Sequence, residues 1–378
     1  MVKEGKSVIL IGCGFVADLY MRSFATFPEI SVLGAFDRCS ERMAKFCGHW
    51  SLASFETIEA AFSTARKKTL FLNLTNPAQH YAVNHAILDA GFSCWSEKPL
   101  AMTMPEAYAL HSLAEKRKVL LASAPCSALS ETAQTLGHVL RHNLAGIPRL
   151  IYAELDDGFV PHAPVEKWYS ESGAPWPYDD EFKTGCTLEH AGYYLSWLIT
   201  FFGAVDTVSA ASAITLPDKR GVSSDVPDFS TAILFFKNGL IARLTCSIVA
   251  SHNHKIRIFT DEGVLEIDRA WDNSAPLSFR RRFVLRRRLI ESPFRKRLRL
   301  SGPTHPKVQR KGAATMNFAL GPTELLEALH ENRPSRFNAD FALHLNEVTL
   351  AIQMSGRGSG AQKMETSCLP MEPMPWAH

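Results

Sequence analysis

Lys98 stands between Glu97 and Pro99, just past an apolar, strand-like run from Phe92 to Trp95. The ring of Pro99 restricts the backbone beside it. The ammonium is therefore offered from one place, where a cation can act on charge that develops in a transition state. What it works with is written near the start of the chain. Val8-Ile9-Leu10-Ile11 leads into Gly12-Cys13-Gly14-Phe15-Val16-Ala17. Gly12 permits a tight turn out of a strand, Gly14 lets a pyrophosphate approach with no Cβ in the way, and Ala17 keeps the next helix close to the sheet. A helix beginning near Phe15 offers free N–H groups and the positive end of its dipole to phosphates. Asp37 closes the next apolar run, Ile30 to Phe36, spaced so that its carboxylate can accept from the adenosine ribose hydroxyls. A carboxylate there repels a 2′-phosphate and favours NAD; Arg38, directly after it, pulls the other way and keeps NADP open. Glycine loop, acid and lysine together point to an oxidoreductase.

These residues need a parallel sheet to hold them. Up to about Ala124, strand-like runs (Val8 to Ile11, Ser31 to Phe36, Leu70 to Leu74, Phe92 to Trp95, Val119 to Ala122) alternate with helical ones (Phe15 to Phe27, Glu41 to Phe46, Phe55 to Ala65, Ala78 to Ala90, Pro105 to Lys118). Such alternation predicts an α/β, doubly wound parallel sheet of the Rossmann type. Thr75-Asn76-Pro77 falls just past Leu70–Leu74, on the edge where these sheets bind ligands. After Pro125 the texture changes to a helix, Ser130 to His142, and then β-rich runs: Arg149 to Leu155, Val205 to Ala213, Thr231 to Lys237, Leu240 to Ala250 and His254 to Thr260. Asn238-Gly239 is a strong hairpin signal. The expected division is a dinucleotide-binding domain over 1–124, an α+β domain with a largely antiparallel sheet over 125–355, and a flexible tail over 356–378.

Composition excludes several classes. An apolar share of 46% and a charged share of 21% suit a globular protein with a sizeable core. No apolar leader precedes the first strand, and no run nears the ~20 apolar residues of a membrane span. The eight cysteines are scattered without a C-x-x-C pair. That argues against a zinc site or disulfide framework and for a reducing, cytoplasmic setting, with no metal expected.

The chain resembles the glucose–fructose oxidoreductase, inositol dehydrogenase and MocA (Gfo/Idh/MocA) family. Gly12-x-Gly14-x-x-Ala17, Asn76-Pro77-x-x-His80 and Glu97-Lys98-Pro99 occur here in the family's order, with a helix rooted at Gly185 and a late run Phe341-Ala342-Leu343-His344-Leu345-Asn346-Glu347. The resemblance covers about Val8 to Met354. It implies a second domain with a large open sheet, oligomerisation through that sheet's face, and NAD(P)-linked hydride transfer at a secondary carbinol of a sugar, cyclitol or nucleotide sugar. Cofactor contacts would come from Gly12, Cys13, Gly14, Phe15, Val16, Asp37, Arg38, Asn76, Pro77, His80, Glu97 and Lys98. The same scaffold leaves open a redox-neutral lyase or glycosidase with retained NAD, and a nucleotide-sensing regulator without chemistry.

Relatives carry an Asp and, four residues on, a His that face the substrate. Counted from Gly185, these positions are Glu189 and Tyr193 here. Spacing i, i+4 places both on one helix face. Oxidising an alcohol also removes its hydroxyl proton, and a tyrosine of reference pKa ~10 can take it only if a cation lowers that value. Lys98 is the candidate cation, as in the Tyr–Lys pair of short-chain dehydrogenases. His190 is the neighbouring candidate, directed about 100° away. Packing for Tyr193 and His80, and a structural ion pair for Glu189, are the plainer alternatives. Cys126 and Ser127 fall where relatives often place a polar substrate contact. His162, Trp168 and the loop Ser172 to Pro177 are candidates for a substrate lid.

Between Arg280 and Leu300, ten Lys or Arg face one acid, Glu291, in a chain whose net charge is only +3. A solvated insertion between strands is the plain explanation. A patch collecting a nucleotide-sugar diphosphate or touching an anionic lipid surface is the sharper one. Pro293 interrupts any continuous amphipathic helix and so speaks against the membrane reading; no nucleic-acid-binding fold is recognisable.

Overall fold

In a computed structural model, residues 5–310 and 315–378 are described. Five strands form the first sheet, all but the half-buried edge strand β2 buried or nearly so: β1 Lys6–Ile11, β2 Ile30–Phe36, β3 Leu70–Asn73, β4 Cys94–Ser96 and β5 Leu121–Ser123. All pair in parallel in the order β2-β1-β3-β4-β5. The order reverses between β1 and β3, and their carboxyl ends open the crevice where such sheets bind ligands.

The second sheet has ten strands: β6 Pro148–Asp156, β7 Val205–Ala213, β10 Phe229–Phe236, β11 Ile241–Ser247, β12 Ile256–Thr260, β13 Gly263–Ile267, β14 Leu277–Leu285, β15 Arg288–Glu291, β16 Lys296–Leu298 and β17 Ala361–Lys363. A two-stranded ribbon, β8 Asp218–Lys219 and β9 Val222–Ser223, stands apart. Among the described residues only β6 and β11 pair in parallel in the large sheet, whose other strand pairs are antiparallel. Burial alternates along β10 and β11: Ala232, Leu234, Ala242 and Leu244 face the core, while Ile233, Ile241 and Arg243 face outward. Asn238 and Gly239 turn one strand into the next, with Gly239 at φ 85°.

The helix Ala339–Gln353 carries the late run from Phe341 to Glu347, every residue of it buried. It touches both β5 of the first sheet and β7 of the second. The helix Leu320–Glu331 likewise returns to pack on β1, β3 and β4. The chain thus crosses back to the first sheet after completing most of the second.

Two expectations are corrected. The segment from Gly356, expected as a flexible tail, is tied down: β17 pairs with β7, and Arg141 donates to the carbonyl of buried Ala377. The basic run, expected as a solvated insertion between strands, is itself part of the large sheet. It is a β14–β15 hairpin turning at Arg286, φ 56°, followed by β16. Pro293 ends a strand there and interrupts nothing.

Candidate active site

A cleft of about 630 Å³ lies at the carboxyl ends of β1, β3 and β4. Its walls include Gly14, Phe15, Val16, Asn76, Pro77, Glu97 and Lys98 from the first domain and Glu189, His190 and Tyr193 from the second. Gly12 and Cys13 lie beneath its floor rather than in its lining. Gly12 sits at φ 102°, where a Cβ would fall 2.7 Å from the carbonyl of Leu74, so glycine is required by packing as well as by the turn. At Gly14 a Cβ would meet nothing within 4 Å. That open space over the start of the helix Phe15–Phe24 fits a pyrophosphate.

Asp37 is buried and fully engaged. Its carboxylate accepts from the backbone N–H of Cys13 at 2.8 Å, that of Cys39 at 2.8 Å, and both Nε and Nη2 of Arg42 at 3.0 Å. Burial opposes its ionisation, but Arg42 and the two N–H groups outweigh it and lower the pKa. Arg42, one helical turn further on, lines the cleft; Arg38 is exposed and does not. The cation that answers Asp37 is therefore Arg42, which the adjacent Arg38 had masked in the sequence.

Lys98 is held from below by a stack of buried bonds. Trp95 Nε1 donates to Tyr20 Oη at 2.8 Å, and Tyr20 donates to Glu97 Oε1 at 2.6 Å. The other Glu97 oxygen accepts the N–H of Lys98 at 3.1 Å. Asn84 bridges Asn73 and Ser96, at 2.8 and 2.9 Å, locking β3 to β4 just before the lysine. His80 does not line the cleft. Its ring is buried, with Nδ1 2.6 Å from the Pro99 carbonyl and Nε2 2.9 Å from that of Thr75, so it joins the two loops. Burial lowers its pKa to about 4, which excludes it as a cation near neutrality.

Glu189, His190 and Tyr193 come from a π-helical turn, Thr187–Ala191, running into the helix Gly192–Phe202. The wider turn changes the angular step between residues, and His190 enters the same cleft as Glu189 and Tyr193 instead of pointing away. Lys98 Nζ bonds Glu189 directly. Burial works against the lysine's charge, but Glu189 outweighs it and raises the pKa far above neutrality. Burial also raises Glu189, to about 7, against the pull of Lys98.

His190 Nε2 pairs with Glu181, and its Nδ1 lies 3.5 Å from Asp157. Burial alone would lower its pKa; Glu181 and Asp157 raise it to about 9. Tyr193 packs on Trp271, ring centroids 4.3 Å apart. Here an expectation fails: burial dominates the nearby Lys98 and raises the phenol pKa, so Tyr193 remains a neutral hydroxyl.

Trp168 and Ala174 to Pro177 line the cleft, and Ser172 anchors their loop by donating to Asp18 at 2.7 Å. His162 does not line it and stacks on Phe159. Cys126 and Ser127 are buried beside a small adjoining cavity, where Ser127 accepts from Trp197 Nε1 at 3.0 Å. Glu181, Asp157 and Trp271 escaped the sequence reading because no spacing rule links them to His190. Among the described residues, Asp157, His252 and His254 form the group with metal-ligand spacing, donor atoms within 4.8 Å. Burial opposes the Asp157 charge, but His254, His190 and His252 hold its pKa near 2, while burial and His254 lower that of His252.

A parallel sheet with a glycine turn at its switch point, facing a buried lysine, defines a dinucleotide-dependent oxidoreductase of Rossmann type. The chain belongs to the Gfo/Idh/MocA family: residues 6–124 match its profile "Oxidoreductase family, NAD-binding Rossmann fold", and residues 133–266 match the GFO/IDH/MocA C-terminal domain. UDP-N-acetylglucosamine 3-dehydrogenase of Acidithiobacillus ferrooxidans is 24% identical over 260 residues, 68% of this chain and 72% of that protein. Levoglucosan dehydrogenase in complex with NADH and levoglucosan shares the fold at a TM-score of 0.78 and 16% identity, over 96% of this chain and 100% of that one. So does the WlbA dehydrogenase from Bordetella pertussis in complex with NADH and UDP-GlcNAcA, at 0.71 and 14%, over 96% and 99%. The protein is an NAD(P)-dependent oxidoreductase. No helix among the described residues is long and apolar enough to cross a membrane.

Proposed function

We propose that the protein transfers a hydride between nicotinamide and a ring carbinol of a sugar whose reacting part is uncharged. The observation that carries this is the Lys98–Glu189 pair, set among Trp168, Trp176, Trp271 and Tyr193 in one cleft with the Gly14–Val16 loop. Aromatic faces suit the C–H faces of a sugar ring. The acids near the reacting end, Glu181, Glu189 and Asp157, make that part of the cleft a poor host for a diphosphate. A nucleotide sugar would have to keep its diphosphate away from them.

The Gly14–Val16 loop, Arg42 with Asp37, and Asn76–Pro77 would hold the dinucleotide, which when bound accepts or supplies the hydride. Lys98 stays charged and stabilises negative charge as it gathers on the carbinol oxygen. Glu189, with its pKa near neutrality, takes or returns the hydroxyl proton. Neutral Tyr193 orients a hydroxyl by donating to it, while cationic His190, paired with Glu181 and Asp157, keeps positive charge beside the reacting end. A reducing, cytoplasmic setting, which the unpaired cysteines support, and a homo-oligomeric assembly complete the proposal.

Nicotinamide absorbance, followed over a panel of sugars, cyclitols and nucleotide sugars, tests the proposal. At least one uncharged sugar should turn over. Lys98→Ala should bind NAD nearly as well as the parent in calorimetry yet lose about 10²-fold or more in turnover, because its contribution belongs to the transition state. Saturable NAD binding with no turnover across the panel would count against an enzyme.

A further inference from the structure

The outer half of the β14–β15 hairpin joins two properties that a soluble surface usually keeps apart. Val284, Leu289 and Phe294 are 70%, 66% and 82% exposed, and Leu285 is 56% exposed. Register shows why no core claims them. Val284 pairs with Leu289 on one face of the ribbon, while Phe283 pairs with Ile290 on the other. An ordinary amphipathic strand would hide one of these faces; here both carry apolar groups into solvent.

The same tip is cationic. At the base, Arg280 and Arg282 pair with Glu291, Arg280 also pairs with Glu266, and Arg295 pairs with Asp268. Arg286, Arg287 and Arg288 at the turn, with Lys296 and Arg297 on β16, are exposed and make no ion pair among the described residues. None of these side chains lines the catalytic cleft, which removes the reading of a diphosphate collector.

We propose that this hairpin docks the protein on an anionic lipid surface. Interleaved aliphatic and guanidinium groups match the interfacial zone, where apolar side chains reach the acyl boundary and cations meet phosphates. A second copy seated tip to tip would bring like charges together. Single-stranded nucleic acid stacks successive bases on aromatic faces; Phe283 and Phe294 offer two here, while Val284, Leu285 and Leu289, the groups nearest the turn, offer none. The objection raised by Pro293 concerned a helix and does not apply to a ribbon.

Co-sedimentation of the full chain with vesicles tests this, using phosphatidylcholine alone and phosphatidylcholine mixed with phosphatidylglycerol. Binding to the mixed vesicles should be at least about tenfold tighter than to the neutral ones and should weaken as salt screens the charges. Changing Arg286, Arg287 and Arg288 together to Glu should cost about tenfold or more. Changing Val284, Leu285 and Leu289 together to Ser should cost a similar factor with every charge intact, which mere cation binding would not show. Both variants should keep the parent's melting temperature and turnover. Three results would overturn the proposal: a parent that stays in the supernatant, a serine variant that binds like the parent, or hairpin variants that change the mass in light scattering and so assign the tip to a second copy.

Discussion

Lys98 and Glu189 touch, yet their surroundings suit them to different work. The lysine keeps its proton at any ordinary pH, while burial leaves the carboxyl near neutrality, where it can exchange one. The sign follows directly. Only the carboxylate can accept a proton, so alcohol oxidation should speed up as pH rises through about 7, and carbonyl reduction should slow over the same range. Glu189→Gln should remove that limb and lower turnover about 10²-fold, whereas Tyr193→Phe, which keeps the ring on Trp271, should cost under about tenfold. A steep loss in Tyr193→Phe with an unchanged pH limb in Glu189→Gln would return the proton transfer to the phenol. Cofactor choice is a second residue-scale matter, because Arg42 neutralises much of the Asp37 charge while occupying its oxygens. NAD should still bind about tenfold more tightly than NADP, ~1.4 kcal/mol. Asp37→Ser should release Arg42 for a 2′-phosphate and move the ratio toward NADP, as calorimetry on the apo-protein would show. Tighter NADP binding by the parent would mean that Arg42 already governs the site.

The elements explain which of these residues were legible in the chain. The glycine loop, Asp37 and Lys98 could be read because each lies at the end of an apolar run bounded by turn residues. His190 was misdirected because a π turn changes a residue's angle without leaving a periodic trace. The β14–β15 hairpin was hidden because arginines stand where strand residues usually do, and its turn has neither Asn nor Gly. The helix Leu320–Glu331 was missed because Gly321-Pro322 looks like a breaker. Pro is tolerated in a first turn, where its missing N–H is not needed, and the glycine has a packing reason: a Cβ on Gly321 would overlap the ring of buried Trp95. That ring supports Tyr20, Glu97 and hence Lys98. Gly321→Ala should therefore destabilise by about 1–3 kcal/mol, opposite in sign to the ~1 kcal/mol gain of alanine in an open helix. It should also lower turnover by disturbing the lysine's support. Denaturant midpoints decide the matter, and a stabilised variant would show that the helix does not press on Trp95.

At the scale of the whole molecule, the ten-stranded sheet buries one face against helices and, among the described residues, leaves the other without a covering layer. On that outer face Leu150, Tyr152, Ile233, Ile241 and Phe259 are half-buried and Phe235 is 39% exposed, with Arg243 lying 4.2 Å over the Tyr152 ring and paired to Glu154. A solvated face of an antiparallel sheet is ordinarily polar, so this one fits another protein surface, and a second copy supplies a face of the same composition. Light scattering should give a multiple of the 42.0 kDa chain mass. Ile233→Asp with Ile241→Asp should reduce it to 42.0 kDa while NAD binding persists, since neither residue lines the cleft. A parent that is already 42.0 kDa at micromolar concentration would refute the assembly. If the assembly holds, each particle carries at least two hairpins, and a second docking event becomes intramolecular. The aspartate variant should then bind anionic vesicles more weakly than the parent although its hairpin is untouched, which ties the outer sheet face to the membrane edge of the same sheet.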